Sequence, residues 1–270
     1  GYPLYNQLVE PMALLLKGAK HLIILPHEAF WGVPFAALPT TKTPGPLTCL
    51  LFHYPLAFSH STIQALAAAP SKPLSSSTGK GQFLVMAVNA SSDPALPPLK
   101  FAEAEGKSVY GIVTAKFPSS NPQFFPGVKA TKETLLQNAP QSRFWHLSCH
   151  GVFVQKPALD SYFVLAKSGT VKASRVTADE ISKRKLPASM VVLSACDLGR
   201  IATTGNGILG MSGAFQQAGV STQVLSLYPV SDANAPYLME QFYEGLLTRH
   251  LPKDEALQAA ARALIVNRRR

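Results

Sequence analysis

The sequence predicts an α/β fold with a mostly parallel central sheet and helices on both faces, three layers in all. Three observations carry that prediction. From Gln82 onward, strand-sized apolar runs alternate with helical segments, the order that parallel strands need for their crossovers. Two of those runs, Phe144–Gly151 and Val191–Gly199, stay apolar until they end in small polar residues. A helical segment lies between them, so they fall side by side with their carboxyl ends together, where open α/β sheets place their sites.

Taken in order, Pro3 to Lys17 has helical spacing, with Leu8, Met12, Leu15 and Leu16 on one side and Gly18 as a stop. His21 to Leu25 is a strand ended by Pro26, and Leu47 to Phe58 gives one or two more. Pro70 to Gly81 is rich in Pro, Ser and Gly and reads as a flexible connection. The alternation then begins: strand Gln82 to Val88, helix Phe101 to Ile112, short strand Val113 to Phe117. Thr131 to Asn138 is a helix capped by Thr131, and Arg143 to Ser148 is a strand carrying histidine. Tyr162 to Val171 reads as a hairpin turning at Lys167-Ser168-Gly169-Thr170. Thr177 to Lys185 is a helix, with Thr177 and Glu180 spaced as a capping box. Met190 to Ala195 is a strand leading to cysteine. Helix Ile208 to Ala218, strand Thr222 to Leu227 and helices Ala233 to Leu247 and Asp254 to Val266 complete the chain.

With 270 residues, 47% of them hydrophobic, the chain can bury a real core, and global disorder is excluded. No apolar run is long enough to cross a bilayer, and no signal peptide is legible. Three cysteines, Cys49, Cys149 and Cys196, make no disulfide framework and point to a reducing, cytoplasmic setting. The net charge of +10 raises the question of nucleic acid. The basic residues are scattered, however, apart from Lys183-Arg184-Lys185 and Arg268-Arg269-Arg270, and neither run is interleaved with aromatics. Neither a nucleic acid nor a membrane is expected as a partner. His146 and His150 lie four apart in a strand, about 13 Å from each other along one face, too far to share an ion. No metal and no cofactor is expected.

The chemistry lies at two strand ends. Cys196 attacks a carbonyl only as the thiolate, and an imidazole beside it can take its proton. His150 stands at the matching end of the neighbouring strand. Gly151 has no Cβ and lets the backbone approach a substrate, so the amides of Gly151 and Cys196 can form an oxyanion hole. A Gly-rich turn, Thr204-Gly205-Asn206-Gly207, precedes the next helix and offers further amides. A cysteine ending an apolar strand is often a small core residue. Cys149 and Cys49 are read that way, and His146 is read as a strand histidine with a structural hydrogen bond.

These segments resemble the CHAT domain, a caspase-like module commonly attached to tetratricopeptide repeats, along nearly the whole chain. Leu22-Ile23-Ile24-Leu25-Pro26-His27-Glu28 and Val33-Pro34-Phe35-Ala36-Ala37-Leu38 resemble its early strand and "PFxAL" motif. Phe101-Ala102-Glu103-Ala104-Glu105 resembles its "A..E" helix, and Trp145 to Gly151 its "HxxxHG" motif. Leu193 to Gly199 resembles "LSACxTG", with Leu198 where Thr is usual. Gly207 to Gly219 and Tyr237 to Leu246 resemble two later helices of the family.

The resemblance implies a caspase–separase type fold and an intracellular cysteine endopeptidase acting on protein substrates. One domain spans 1–270: an N-terminal pseudo-protease-like half (1–69), the connection (70–81) and a catalytic half (82–270). Carried over by position, Cys196 is the nucleophile, His150 its base, and Gly151 and Cys196 the oxyanion donors. The interval from His150 to Cys196 is close to the spacing of about 50 residues seen in caspases. The resemblance also implies control by attached repeats or another regulatory module. Tyr228-Pro229-Val230-Ser231-Asp232 resembles a separase segment in which an acid receives a basic P1 side chain. Asp232 is therefore a candidate for the S1 pocket, or else a cap for the helix near Ala233; Asp160 is a second S1 candidate, and Asp197 a local turn or site-shaping acid. The other functional reading is a weakly active or inactive interaction scaffold on the same fold.

Overall fold

The computed structural model describes residues 1–43, 45, 47–62, 65, 81–90, 93–169, 174–196, 198–199, 202–204 and 207–267. Most of the expected connection at 70–81, the hairpin turn at Thr170, and Asp197, Gly205 and Asn206 lie outside them, as do Arg268 to Arg270.

The N-terminal segment folds as helices α1 (Tyr2–Leu8) and α2 (Ala13–Leu16) with a 3-10 turn at Glu10–Met12 between them, where one continuous helix was expected. Pro11 supplies no N–H there and interrupts the helical ladder. Strands β1 (Leu22–Ile24) and β2 (Leu56–Phe58) form a small parallel pair, and Leu50–Phe52 is a 3-10 turn. Val9, Phe35, Leu38 and Leu50 make a small core of their own.

Beyond residue 81 come β3 (Gln82–Ala87), α3 (Ala102–Lys116), β4 (Gln123–Pro126), α4 (Lys132–Asn138), β5 (Ser142–Ser148), β6 (His150–Val152), β7 (Tyr162–Leu165) and β8 (Ser174–Thr177). They are followed by α5 (Ala178–Ser182), β9 (Met190–Ser194), β10 (Ala202–Thr204), β11 (Gly207–Leu209), α6 (Met211–Gln217), β12 (Gln223–Leu225), α7 (Ala235–Leu247) and α8 (Lys253–Asn267). The central sheet has the order β12-β9-β5-β3-β4, parallel throughout. β5 and β9 are neighbours, in a register that ends with Ser148 opposite Ser194.

Alternation along these strands feeds two cores. Leu84, Met86, Trp145, Leu147, Val191 and Leu193 face α4, α5, α6 and the β6–β7–β8 sheet. Phe83, Val85, Phe144, Met190 and Val192 face α3, α7 and α8. This is the three-layer arrangement expected, and a strand buried on both faces reads as a continuous apolar run for this reason.

Several elements differ from expectation. Val113 to Phe117 is not a strand, because α3 continues to Lys116; Val113 is fully buried on the same stripe as Val109, and tertiary packing outweighs β-branched propensity. The strand beside β3 is instead Gln123–Pro126. The hairpin after Tyr162 pairs β7 with Ser174–Thr177, further along than its predicted second arm. Between Cys196 and α6 lies a small β10–β11 hairpin, so α6 begins at Met211 rather than Ile208. The predicted caps are present. The Thr131 side chain accepts from the Thr134 N–H, and Thr177 with Glu180 forms the full capping box.

Candidate active site

The parallel strands β5 and β9 deliver His150 and Cys196 to one cleft at their carboxyl ends. Leu99, Glu105, Ser148, Cys149, His150, Ser194, Ala195, Cys196, Val230, Asp232 and Ala235 line it, around an empty volume of about 360 Å³. The chain leaves the central sheet at Ser148, and the Cys149 N–H bonds the Ser194 carbonyl at 3.3 Å. His150 then opens β6, which pairs antiparallel with β7. Cys196 follows the last residue of β9 by two positions. Both residues are half-buried, a placement that permits contact with solvent and with a protein fold at once.

His150 Nε2 lies 2.5 Å from the Pro97 carbonyl oxygen. A carbonyl only accepts, so Nε2 carries the hydrogen and the neutral ring presents its lone pair at Nδ1. The tautomer is thereby fixed by the backbone of the 93–101 loop. The Cys196 thiol points at the Val230 carbonyl, 3.7 Å away. That contact belongs to the protonated thiol, because a thiolate facing a carbonyl oxygen is repelled. Gly151 packs against the turn that carries the thiol: a Cβ there would sit 2.5 Å from Leu198 Cδ1 and 2.8 Å from the Cys196 carbonyl oxygen. The absence of a side chain at 151 is a steric requirement of the site.

Asp232 lines the cleft, and its Oδ2 accepts hydrogen bonds from the Lys100 (2.6 Å) and Phe101 (3.3 Å) amides. These amides immediately precede α3, so the carboxylate holds the start of that helix, where negative charge is favourable. It does not cap its own helix. α7 starts at Ala235 with Asn234 as N-cap and no side-chain capping bond. Asp160 is exposed on the 3-10 turn Ala158–Asp160 and is not part of the cleft lining.

Sequence reasoning missed the acid beneath the cleft. Glu105, 1% exposed, bonds His146 Nε2 through Oε1 at 3.0 Å, and His146 Nδ1 meets the Tyr243 hydroxyl at 3.2 Å. His146 is fully buried, so its expected structural hydrogen bond is in fact a three-membered buried network. Gly106 lets α3 approach the sheet closely enough for this, since a Cβ there would come within 2.6 Å of Ala87 Cβ. A signal was available: Glu105 occupies the same stripe as Val109 and Val113, a charged residue on the apolar face of a helix. Pro97 left no such signal, because its role is played by a main-chain oxygen.

The cysteines separate cleanly. Burial pushes the Cys149 thiol up to about 12. Cys149 is a core residue, as expected, and Cys49 is only partly buried. Burial, then the charge of Glu105, raises the Tyr243 phenol well above its usual value. Among the described residues no cluster of three or more His, Cys, Asp or Glu could hold a metal ion, and no helix is long and apolar enough to cross a membrane.

Comparison with known proteins agrees with this architecture. The sequence profile of the CHAT domain matches residues 1–270. The crystal structure of gingipain R, an Arg-specific cysteine proteinase, superposes with a TM-score of 0.53 at 11% identity, over 78% of this chain and 49% of that one. The complex of pro- and mature domains of the Porphyromonas gingivalis gingipain gives a TM-score of 0.47 at 12% identity, over 80% and 51% of the two chains. The chain thus spans about half the length of the solved structures it matches. At such identity the likeness is one of fold, that of a caspase-like cysteine proteinase. No curated protein matches. A central parallel sheet flanked by helices, a cleft at its carboxyl edge and a profile match along the entire sequence lead to one conclusion: this chain belongs to the CHAT domain family.

Proposed function

We propose that the domain is a cysteine endopeptidase in which Cys196 is the nucleophile and His150 its general base. The observation that carries this reading is the shared cleft: both side chains line it, and the Pro97 carbonyl leaves His150 Nδ1 as the basic nitrogen. In the first step the imidazole takes the thiol proton, the Val230 contact is released, and sulfur attacks the scissile carbonyl. The amides of Gly151 and Cys196 are the donors for the resulting oxyanion; the loss of one such donor typically costs about 3 kcal/mol of transition-state stabilisation. Imidazolium then protonates the leaving amine, and water, deprotonated by the same imidazole, hydrolyses the thioester.

Asp232 is the acid for a basic P1 side chain. Its Oδ2 is engaged by two amides, but the negative charge remains on the cleft wall, joined by Glu105 at the floor. Asp160 lies outside the cleft lining and is given no part in P1 recognition. No metal or cofactor takes part in this scheme. Protein substrates, a reducing compartment such as the cytoplasm, and control by attached repeats or another regulatory partner complete the reading. The competing reading, an interaction scaffold on the same fold, is favoured by one observation: the Cys196 thiol rests on the Val230 carbonyl.

Peptides carrying Arg, Asp or Leu at P1 test both. Cleavage after Arg by the wild type, abolished in Cys196→Ala and nearly so in His150→Ala, is the expected result. Cleavage that survives Cys196→Ala removes the mechanism. A folded wild type that cleaves nothing, with partner binding intact in both alanine variants, supports the scaffold.

A further inference from the structure

The loop that supplies the Pro97 carbonyl is itself anchored on the sheet that carries His150. Asp93, 5% exposed at its side chain, receives Arg175 Nη2 on Oδ2 at 2.6 Å. The Tyr162 hydroxyl reaches the same oxygen at 3.4 Å, and Oδ1 accepts from the Ala95 amide at 3.1 Å. The Leu96 amide bonds the Asp93 carbonyl, and the Leu99 amide bonds Asn89. Pro94, Pro97 and Pro98 lie between these fixed points, and each locks its own φ. The segment from Asp93 to Leu99 is therefore a stiff spacer.

The anchor and the imidazole also share a face of one sheet. His150 stands opposite Val164, and Val164 opposite Arg175. Directly paired residues project to the same side, so Arg175 stands two strands, about 10 Å, from His150 on one surface. Tyr162, two residues before Val164, shares that face, and the Arg175 guanidinium lies 4.4 Å from its ring centroid. A closed circuit results. It runs from His150 across β6, β7 and β8 to Arg175, then to Asp93, along the proline-stiffened loop to the Pro97 carbonyl, and back to His150.

We infer that Asp93, held by Arg175 and Tyr162, is a positioning residue for His150 and acts through the Pro97 carbonyl. The inference rests on the reading of His150 as the base. Arg175 is 48% exposed at its side chain, and ion pairs that open to solvent contribute little to stability. The purpose of this pair is placement, because displacing the Asp93 turn carries the Pro97 oxygen with it. The Ala95 amide and then Arg175 hold the Asp93 carboxyl below its usual range, so it stays ionised across the pH range of the test. The acids that line the cleft with His150, Glu105 and Asp232, are left untouched by substitutions at 93 and 175.

The test is the rate of Cys196 alkylation by iodoacetamide as a function of pH, read by mass spectrometry of the Cys196 peptide. It needs no substrate and no turnover. The wild-type profile is the reference, and His150→Ala is expected to move its midpoint up. Arg175→Gln and Asp93→Asn are expected to move it the same way and to slow alkylation at pH 7 by about ten- to a hundredfold, the scale of an ångström of misplacement. Arg175→Lys, which keeps the charge, should restore most of the rate. KM for a cleaved peptide should be unchanged while kcat falls, and the melting transition of Arg175→Gln should stay close to that of the wild type. Wild-type profiles in Arg175→Gln and Asp93→Asn, with His150→Ala displaced, overturn the positioning role alone. A profile unmoved by His150→Ala overturns the dyad, and the positioning role with it.

Discussion

Gly151 lies against the main-chain carbonyl of Cys196: a Cβ at 151 would stand 2.8 Å from that oxygen and 2.5 Å from Leu198 Cδ1. The residue after the candidate base thus packs directly on the turn that carries the candidate nucleophile. The same Gly151 pairs with Phe163 in the small antiparallel sheet, so neither side can retreat freely.

Gly151→Ala should therefore displace the Cys196 turn. Overpacking of this kind costs about 1–3 kcal/mol, measurable as a lower urea midpoint. Because the displaced atoms include the site, peptide cleavage should fall further than the stability loss accounts for. A variant that is less stable yet fully active per folded molecule would contradict a strict fit at this position.

Asp232 has two functions that a pair of substitutions separates. Asp232→Asn keeps an oxygen for the Lys100 and Phe101 amides and removes the charge. Cleavage after Arg should drop by at least tenfold, about 1.4 kcal/mol or more, with little change in melting temperature. Asp232→Ala should lose a further ~1 kcal/mol of stability as the start of α3 loses its partner. Equal cleavage of Arg and Leu substrates by the wild type would remove Asp232 from P1 recognition.

The buried pair of Glu105 and His146 is expected to be sensitive to removal of one partner. His146→Leu leaves a carboxylate buried without its imidazole, which costs about 3–5 kcal/mol. Tyr243→Phe removes only the hydroxyl and should cost about 1 kcal/mol. Chemical denaturation of both variants measures the difference; similar costs would show that Glu105 finds another partner.

Alkaline solution should destabilise the fold through Cys149 and Tyr243. Both groups titrate higher in the folded state than in the unfolded chain, so the unfolded state releases its protons first. The stability they contribute is complete below about pH 8.5, the unfolded thiol value, and declines as pH rises towards about 12. Cys149→Ala should flatten the first part of that decline in urea titrations between pH 8 and 10. In the same range iodoacetamide should leave Cys149 unlabelled in the folded protein.

Much of the alternation of strands and helices beyond residue 82, both predicted caps, and the neighbouring placement of the histidine and cysteine strands were legible in the sequence; β4, β6 and the β10–β11 pair were not. Each depends on local patterning: apolar runs of strand length, Thr-x-x-Glu spacing at 177–180, and small polar residues at strand ends. The N-terminal helix and the extent of α3 were less so. Pro11 breaks one, and Val113 sits in the other because a helix stripe buries it, against its own preference.

Sequence alone determined which residues carry reactive groups and that the strands leading to His150 and Cys196 are parallel neighbours, because chain order and apolar periodicity are enough to specify a crossover; that His150 itself opens β6 of a second sheet was decided by the tertiary structure. Tertiary structure alone decided what surrounds them. The Glu105 carboxylate lines the cleft, the Pro97 carbonyl reaches His150 from a loop dozens of residues earlier in the chain, and the Asp93–Arg175 pair holds that loop. One of them acts through a backbone oxygen, which every residue possesses and no side-chain pattern records. Contacts of that kind depend on how elements pack, and packing is fixed only when the whole core closes.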